Sequence, residues 1–111
     1  MIKANELRIG NRVLFRGKED TVWRVEDNNY YTENYGHGVN NKDLEPIPLC
    51  DDWLLKFGFE YISSNRLVYN NEIVEFTFDG VPMLNGVFVL NVHTLQNLYF
   101  ALTGEELTIK D

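Results

Sequence analysis

HTLQNLYFALTGEEL, residues 93–107, reads as one amphipathic helix with a glycine stop and a short tail. Leu95, Leu98, Tyr99 and Leu102 recur at i, i+3, i+4 and i+7, the spacing that places side chains on one helix face. Gly104 follows where a left-handed C-terminal cap is needed, a conformation glycine adopts without steric cost. Each of the four apolar residues contributes about 1.5–3 kcal/mol on full burial, more than a surface ion pair supplies. The segment therefore predicts a helix that closes the chain by packing on a sheet, and it carries no catalytic device.

The sheet should lie just before it. Residues 86–92 are apolar on both alternating faces, as in a strand covered on both sides. Residues 59–62, 66–69 and 72–79 are further strand candidates, and in the last Val74, Phe76 and Phe78 face one way with Glu75, Thr77 and Asp79 opposite. Asn70-Asn71 and Asp79-Gly80 are turn signals between them. A short helix over 51–57 opens this half. Asp51 and Asp52 suit its N-terminus, Trp53, Leu54 and Phe57 form its buried stripe, and Gly58 ends it.

The first 48 residues have a different texture. Residues 12–16 alternate, with Val13 and Phe15 opposed to Arg12, Leu14 and Arg16. Residues 21–26 alternate again, with Trp23 and Val25 opposed to Val22, Arg24 and Glu26. Gly17-Lys18-Glu19-Asp20 reads as the hairpin connection, and Gly10-Asn11 as the turn entering the first strand. Residues 27–41 turn polar, with five Asn, three Tyr and two Gly, and read as a loop with a short strand at 30–32. Lys42 to Glu45 suggests a single helical turn. Pro46-Ile47-Pro48-Leu49 is then extended, since proline disfavours helix in the residue before it. This opening is similar to that of small SH3-like barrels, a likeness of fold alone.

The expected fold class is α+β. SH3-like strands over 1–48 are followed without a flexible linker by an α-β-β-β-α subdomain over 49–111. That subdomain comprises a helix, an antiparallel sheet of three or four strands and the terminal helix, and the two parts are expected to pack as one body. At 111 residues two independent cores would be unusual.

Composition narrows the classes further. Seven Phe, six Tyr and two Trp argue against disorder. No apolar run approaches transmembrane length, and the first residues lack the apolar stretch of a secretory signal. One cysteine excludes an internal disulfide framework and fits a reducing compartment, so a cytoplasmic location is expected. The net charge is −7, unevenly spread: residues 1–48 hold seven basic and eight acidic groups, residues 49–111 three and nine. An acidic chain lacks the basic stripe of most nucleic-acid binders, so such binding would have to come from the first half alone.

Four ordered blocks carry a resemblance: KANELRIGN at 3–11, LEPIPL at 44–49, WLLKFGF at 53–59 and LQNLYFALTGEEL at 95–107. Together they resemble a family of small proteins of unknown function encoded in gut Bacteroidetes genomes and their prophages or mobile elements. The resemblance implies a bacterial or phage cytoplasmic setting and transfers no site residues.

Chemistry-bearing constellations are sparse. Cys50 and His37 are the one Cys–His pairing that suggests a nucleophile, but Asp51 and Asp52 beside Cys50 disfavour a thiolate. His93 stands near the terminal helix start, beside Asn91 and Thr94 as candidate caps. Two histidines without C-x-x-C or H-x-x-x-H spacing give no support to a metal site. The neighbouring carboxylates Asp51/Asp52 and Glu105/Glu106 point apart on a helix, which favours a structural role over acid–base work. No phosphate-cradling glycine motif is present, so neither a catalytic residue nor a cofactor is expected.

What remains is surface recognition. Arg12, Arg16, Lys18, Trp23, Arg24, Tyr30, Tyr31 and Tyr35 form the candidate binding face, and Arg8 is a further cation of the same patch. Cations interleaved with aromatics suit single-stranded nucleic acid. The alternative is a solvated barrel face with Trp23 in its core. The reading that fits best is a non-enzymatic interaction protein. Its partner is expected to be another protein or a second copy of itself, and nucleic acid binding through the basic barrel face is the alternative. The Tyr-rich stretch at 28–41 and the acidic second half support contacts of this kind.

Overall fold

The computed structural model describes residues 2, 6–26 and 29–110. Lys3, Ala4 and Asn5 of the first resembling block, and Asp27 and Asn28 of the polar stretch, lie outside them. The fold is α+β, and the chain divides into two units, Met1–Ile47 and Pro48–Asp111.

The first unit comprises β1 (Arg12–Phe15), β2 (Lys18–Glu26), β3 (Asn29–Thr32), β4 (Tyr35–Asn40), a 3-10 turn at Asn41–Asp43 and β5 (Leu44–Glu45). Four strands form an antiparallel meander and β5 returns to pair with β1, giving the order β4-β3-β2-β1-β5. This curled half-barrel is the SH3-like arrangement expected of the first half. Its core gathers Val13 and Phe15 from β1, Val22, Tyr30, Val39 and Leu44, with Ile2 and Leu7 from the segment before β1.

Two local readings of this half are corrected. The β1–β2 connection is Arg16-Gly17, with Phe15 and Lys18 directly paired. Both turn residues have positive φ (55° and 78°), the requirement of the tight hairpin turn whose twist matches its strands. Lys18, Glu19 and Asp20 therefore begin β2. Asp20 is needed inside the fold: its buried carboxylate accepts from the Thr21 amide at 2.8 Å and the Asn34 amide at 3.2 Å. It thereby fastens the β3–β4 turn. The polar stretch also folds as a hairpin rather than a loop, with Tyr30 paired to Val39 and Asn29 to Asn40. Tyr30, Thr32 and Val39 fill the buried positions, while Asn29, Gly36 and Gly38 lie exposed. A strand needs only alternate apolar residues when one face meets water.

The second unit comprises α1 (Asp51–Lys56), β6 (Glu60–Ser63), β7 (Arg66–Tyr69), β8 (Glu72–Phe76), β9 (Pro82–Leu84), β10 (Val87–Phe88) and α2 (Val92–Thr103). Its sheet is a five-stranded antiparallel meander, β10-β9-β8-β7-β6, one strand more than the upper expectation. Leu67, Val74 and Leu84 stand in register across β7, β8 and β9, and all three are fully buried. Asn70-Asn71 makes the expected tight turn, with φ of 51° and 68°.

β8 stops at Phe76, short of the predicted residue 79. The Gly80 amide donates to the Thr77 carbonyl at 2.8 Å and the Val81 amide to Thr77 Oγ1 at 3.1 Å. This turn leaves Phe78 fully exposed rather than on the inner face. The predicted strand over 86–92 is reduced to Val87 and Phe88, both exposed. Gly86 belongs to a turn with Asn85, Val89 is buried beyond the strand, and Val92 is already helical. The apolar run joins three structural roles, so its composition mimics one covered strand. β9 was masked in the sequence by Pro82, which is tolerated as the first residue of a strand.

α2 ends at Gly104 as expected, with φ 76° and its amide donating to the Phe100 carbonyl at 2.8 Å. The buried arc is Val92, His93, Leu95, Gln96 and Tyr99. Leu98 is half-buried and Leu102 is 45% exposed, so the stripe is rotated from the predicted one. The Tyr99 ring lies 6.0 Å from Tyr69 of β7, and its hydroxyl accepts from Asn70 Nδ2 at 3.1 Å. Beyond the cap the tail is tied down. Gln96 Nε2 donates to the Leu107 carbonyl at 3.4 Å, and the Lys110 amide to the Lys56 carbonyl at 2.7 Å. No helix among the described residues is long and apolar enough to cross a membrane.

Candidate functional site

Strand register sorts the eight candidate residues. Val13 pairs with Asp20 and Val22 with Thr32, all four buried, which defines the inner face of the first sheet. Arg12 pairs with Thr21 and, beyond a bulge at Val22/Arg24, Arg24 pairs with Tyr31. These residues face outward. Trp23 sits in the bulge, 49% exposed, with its ring 6.2 Å from Tyr31. Trp23 follows the inward Val22 and so points outward, which corrects the alternative that placed it in the core, and the bulge turns Arg24 to the same side. Its indole Nε1 donates to the Thr32 carbonyl at 3.2 Å, so one edge of the ring is anchored and the remainder stays available.

Arg12, Trp23, Arg24 and Tyr31 therefore share one surface. The Arg24 guanidinium lies 5.1 Å from the Tyr31 ring centroid and pairs with Glu26, two residues on along the same strand. Arg12 is half-buried and donates from Nη1 to Thr21 Oγ1 at 3.0 Å. The remaining four lie elsewhere. Tyr30 is a core residue. Arg16 is in the β1–β2 turn, not on the strand face with Arg12 and Leu14. Its guanidinium stands 4.9 Å from the Phe15 ring and 5.2 Å from Tyr35. Phe15 and Tyr35 themselves are 4.7 Å apart. Lys18 and Tyr35, with Arg16, line an open cleft of about 400 Å³, and Arg16 and Tyr35 also border one of about 730 Å³ whose rim mixes Lys42 with Asp43 and Glu45. The eight residues thus fall into two groups and a core tyrosine.

The sequence reading overlooked Gly38 of β4. A Cβ there would meet Asn29 Cβ at 3.1 Å and the Tyr31 ring at 3.2 Å, so glycine lets Tyr31 lie flat across the sheet. A glycine inside a strand signals such close approach, a cue hidden where the polar composition of 27–41 predicts a loop.

The other constellations resolve structurally. Cys50 is exposed and precedes α1, and its sulfur and the carboxylates of Asp51 and Asp52 lie within 4.8 Å of one another. All three are at the surface. Neither aspartate caps α1, and Asp51 instead accepts a 2.6 Å hydrogen bond from the Tyr61 hydroxyl. His37, in the first unit, rests edge-on to Tyr35 at 5.6 Å, and His93 is buried in α2.

The Asp51 hydrogen bond holds the Tyr61 phenol above its ordinary pKa of 10.0, with desolvation and the charges of Asp51 and Asp52 acting the same way. A raised tyrosine value means that the folded state keeps its proton longer. The stabilisation is thus present below the ordinary value and is lost as pH climbs through the raised one. Followed by residue-resolved NMR, Tyr61 should titrate above that value, and Asp51→Ala should bring it back down. Equal titration in both proteins would show that the hydrogen bond does not persist in solution.

Compared with known proteins, the chain matches no family model, no curated protein and no solved structure.

Proposed function

We propose that this is a non-enzymatic interaction protein that binds a protein partner through the outer face of its SH3-like sheet, in the cytoplasmic bacterial or phage setting implied by its resemblance. The observation that carries this reading is the half-exposed Trp23 beside Tyr31, with Arg24 turned to the same face by the bulge. Trp, Tyr and Arg are the residue types that dominate binding energy at protein interfaces, because they bury large area at small entropic cost.

The same face suits phosphate backbones less well. Arg24 is engaged by Glu26 and Tyr31, and Arg12 by Thr21. Glu19, paired with Leu14, adds a further carboxylate to this side. Arg16 and Lys18 lie in the other group, so these cations do not form the continuous basic stripe usual in nucleic-acid binders.

The test is quantitative capture from nuclease-treated bacterial lysate, comparing the wild type with Trp23→Ala and, as a surface control in the second unit, Leu90→Ala. A protein retained by the wild type and by Leu90→Ala should fall at least about tenfold with Trp23→Ala. Capture insensitive to Trp23→Ala would refute this face. Capture seen only from a parallel lysate left without nuclease, with steep salt dependence, would transfer the reading to nucleic acid.

A further inference from the structure

The turn between β9 and β10 is Asn85-Gly86, the single Asn–Gly step in the chain. Both residues are exposed and have positive φ, 51° and 78°, and together they join Leu84 to its direct partner Val87. A Cβ on Gly86 would meet nothing within 4 Å, so no neighbouring group shields the peptide bond. Asp79-Gly80 is the nearest counterpart, but the Gly80 amide is engaged, donating to the Thr77 carbonyl at 2.8 Å. No such bond holds the Gly86 amide among the described residues. Asn70, also at positive φ, donates from its side-chain amide to the Tyr99 hydroxyl and is followed by Asn71. β10 itself is the edge of the sheet and consists of Val87 and Phe88, both exposed. Local opening of this turn therefore costs little.

We propose that Asn85-Gly86 is a self-modification site whose isoaspartyl product releases β10 from the second sheet. The Gly86 amide gives its proton to hydroxide, and its nitrogen attacks Asn85 Cγ, a ring closure within the chain that proximity favours. A bond forms between Cγ and the Gly86 nitrogen while the Cγ–Nδ2 bond breaks. The leaving nitrogen takes a proton from water and departs as ammonia, restoring the hydroxide. Water then opens the cyclic imide. Attack at the side-chain carbonyl gives ordinary aspartate. Attack at the main-chain carbonyl gives isoaspartate, which frees the α-carboxylate and carries the chain onward through Cβ and Cγ. That route is longer by one methylene. Turn length fixes hairpin register, so the added atom breaks the pairing of Leu84 with Val87 and of Met83 with Phe88. Ordinary aspartate leaves the backbone path and the pairing as they were.

The experiment is to hold the folded full chain for days at neutral and mildly alkaline pH. Peptide mapping and methyl transfer by an isoaspartyl carboxyl methyltransferase follow the products. Asn85 should convert at least about tenfold faster than any other asparagine, because glycine alone leaves the following amide without a shielding side chain. Its rate should rise with hydroxide concentration. Asn85→Gly, which suits the positive φ, should abolish the reaction at this turn. With the two products separated, amide exchange at Val87 and Phe88 should quicken in the isoaspartyl form and stay unchanged in the aspartyl form. Conversion of Asn85 in urea-unfolded but not in folded protein would show that the fold keeps the turn shut, and would overturn the proposal. Faster conversion at another asparagine, or an isoaspartyl form with unaltered exchange at Val87 and Phe88, overturns it equally.

Discussion

Tyr99→Ala is expected to destabilise the second unit by about 3–5 kcal/mol, the cost of removing a buried aromatic ring and leaving a cavity. Tyr99 is the largest of the fully buried side chains, and it stands where α2 meets β7 beside Tyr69. Its hydroxyl is a lesser contributor, since the bond from Asn70 joins two neutral groups. Tyr99→Phe should accordingly cost only about 0.5–1.5 kcal/mol. The difference between the two substitutions separates packing from hydrogen bonding. Urea unfolding followed by circular dichroism measures both. A small domain holds only about 5–15 kcal/mol in total, so the alanine variant should retain a greatly reduced unfolding midpoint. If both substitutions cost the same, the hydroxyl rather than the ring is what anchors α2.

The second large effect belongs to β5. Leu44→Ala should cost the first unit about 2–5 kcal/mol, although it lies in a strand of two residues. Those two residues pair only with Leu14 and Phe15, and each backbone hydrogen bond contributes about 1 kcal/mol net. The fully buried Leu44 side chain, inside the cluster of Val13, Phe15 and Val39, is therefore the principal attachment. Hydrogen exchange at the β1–β5 pairing should accelerate along with the global loss. Glu45→Ala, at the exposed neighbouring position, should change stability by no more than about 0.5 kcal/mol. A comparable loss at Glu45 would mean that backbone pairing, not the leucine, fixes the strand.

Much of the architecture was legible because strong local signals agreed with the tertiary environment. Gly104 capped α2, Asn70-Asn71 made its turn, and Val13 and Phe15 faced inward where alternation put them. Other features depend on information that local patterns do not carry. α2 is apolar around much of its circumference from Leu95 to Leu102, so periodicity alone could not choose the buried arc. That choice includes the polar His93 and Gln96. Asp20 reads as a turn residue in the sequence because the Asn34 amide that its carboxylate serves is 14 residues away. For the candidate site, the residue types were identifiable but their grouping was not. A single bulged residue, Trp23, changes which side chains share a face, and nothing in the alternation of 21–26 announces it.

The return of β5 to β1 also orders events in time. Every pairing in the second sheet joins strands adjacent in sequence, as do the three pairings of the β1–β4 meander. Local hairpins close in microseconds, whereas a pairing between distant segments must first overcome the entropy of the intervening chain. The Phe15–Leu44 register is such a pairing, and it can be secured only once the meander between them exists. Leu44 therefore acts late. Its truncation should accelerate unfolding while leaving the rate of folding almost unchanged, so the lifetime of the native half-barrel rests on its shortest strand.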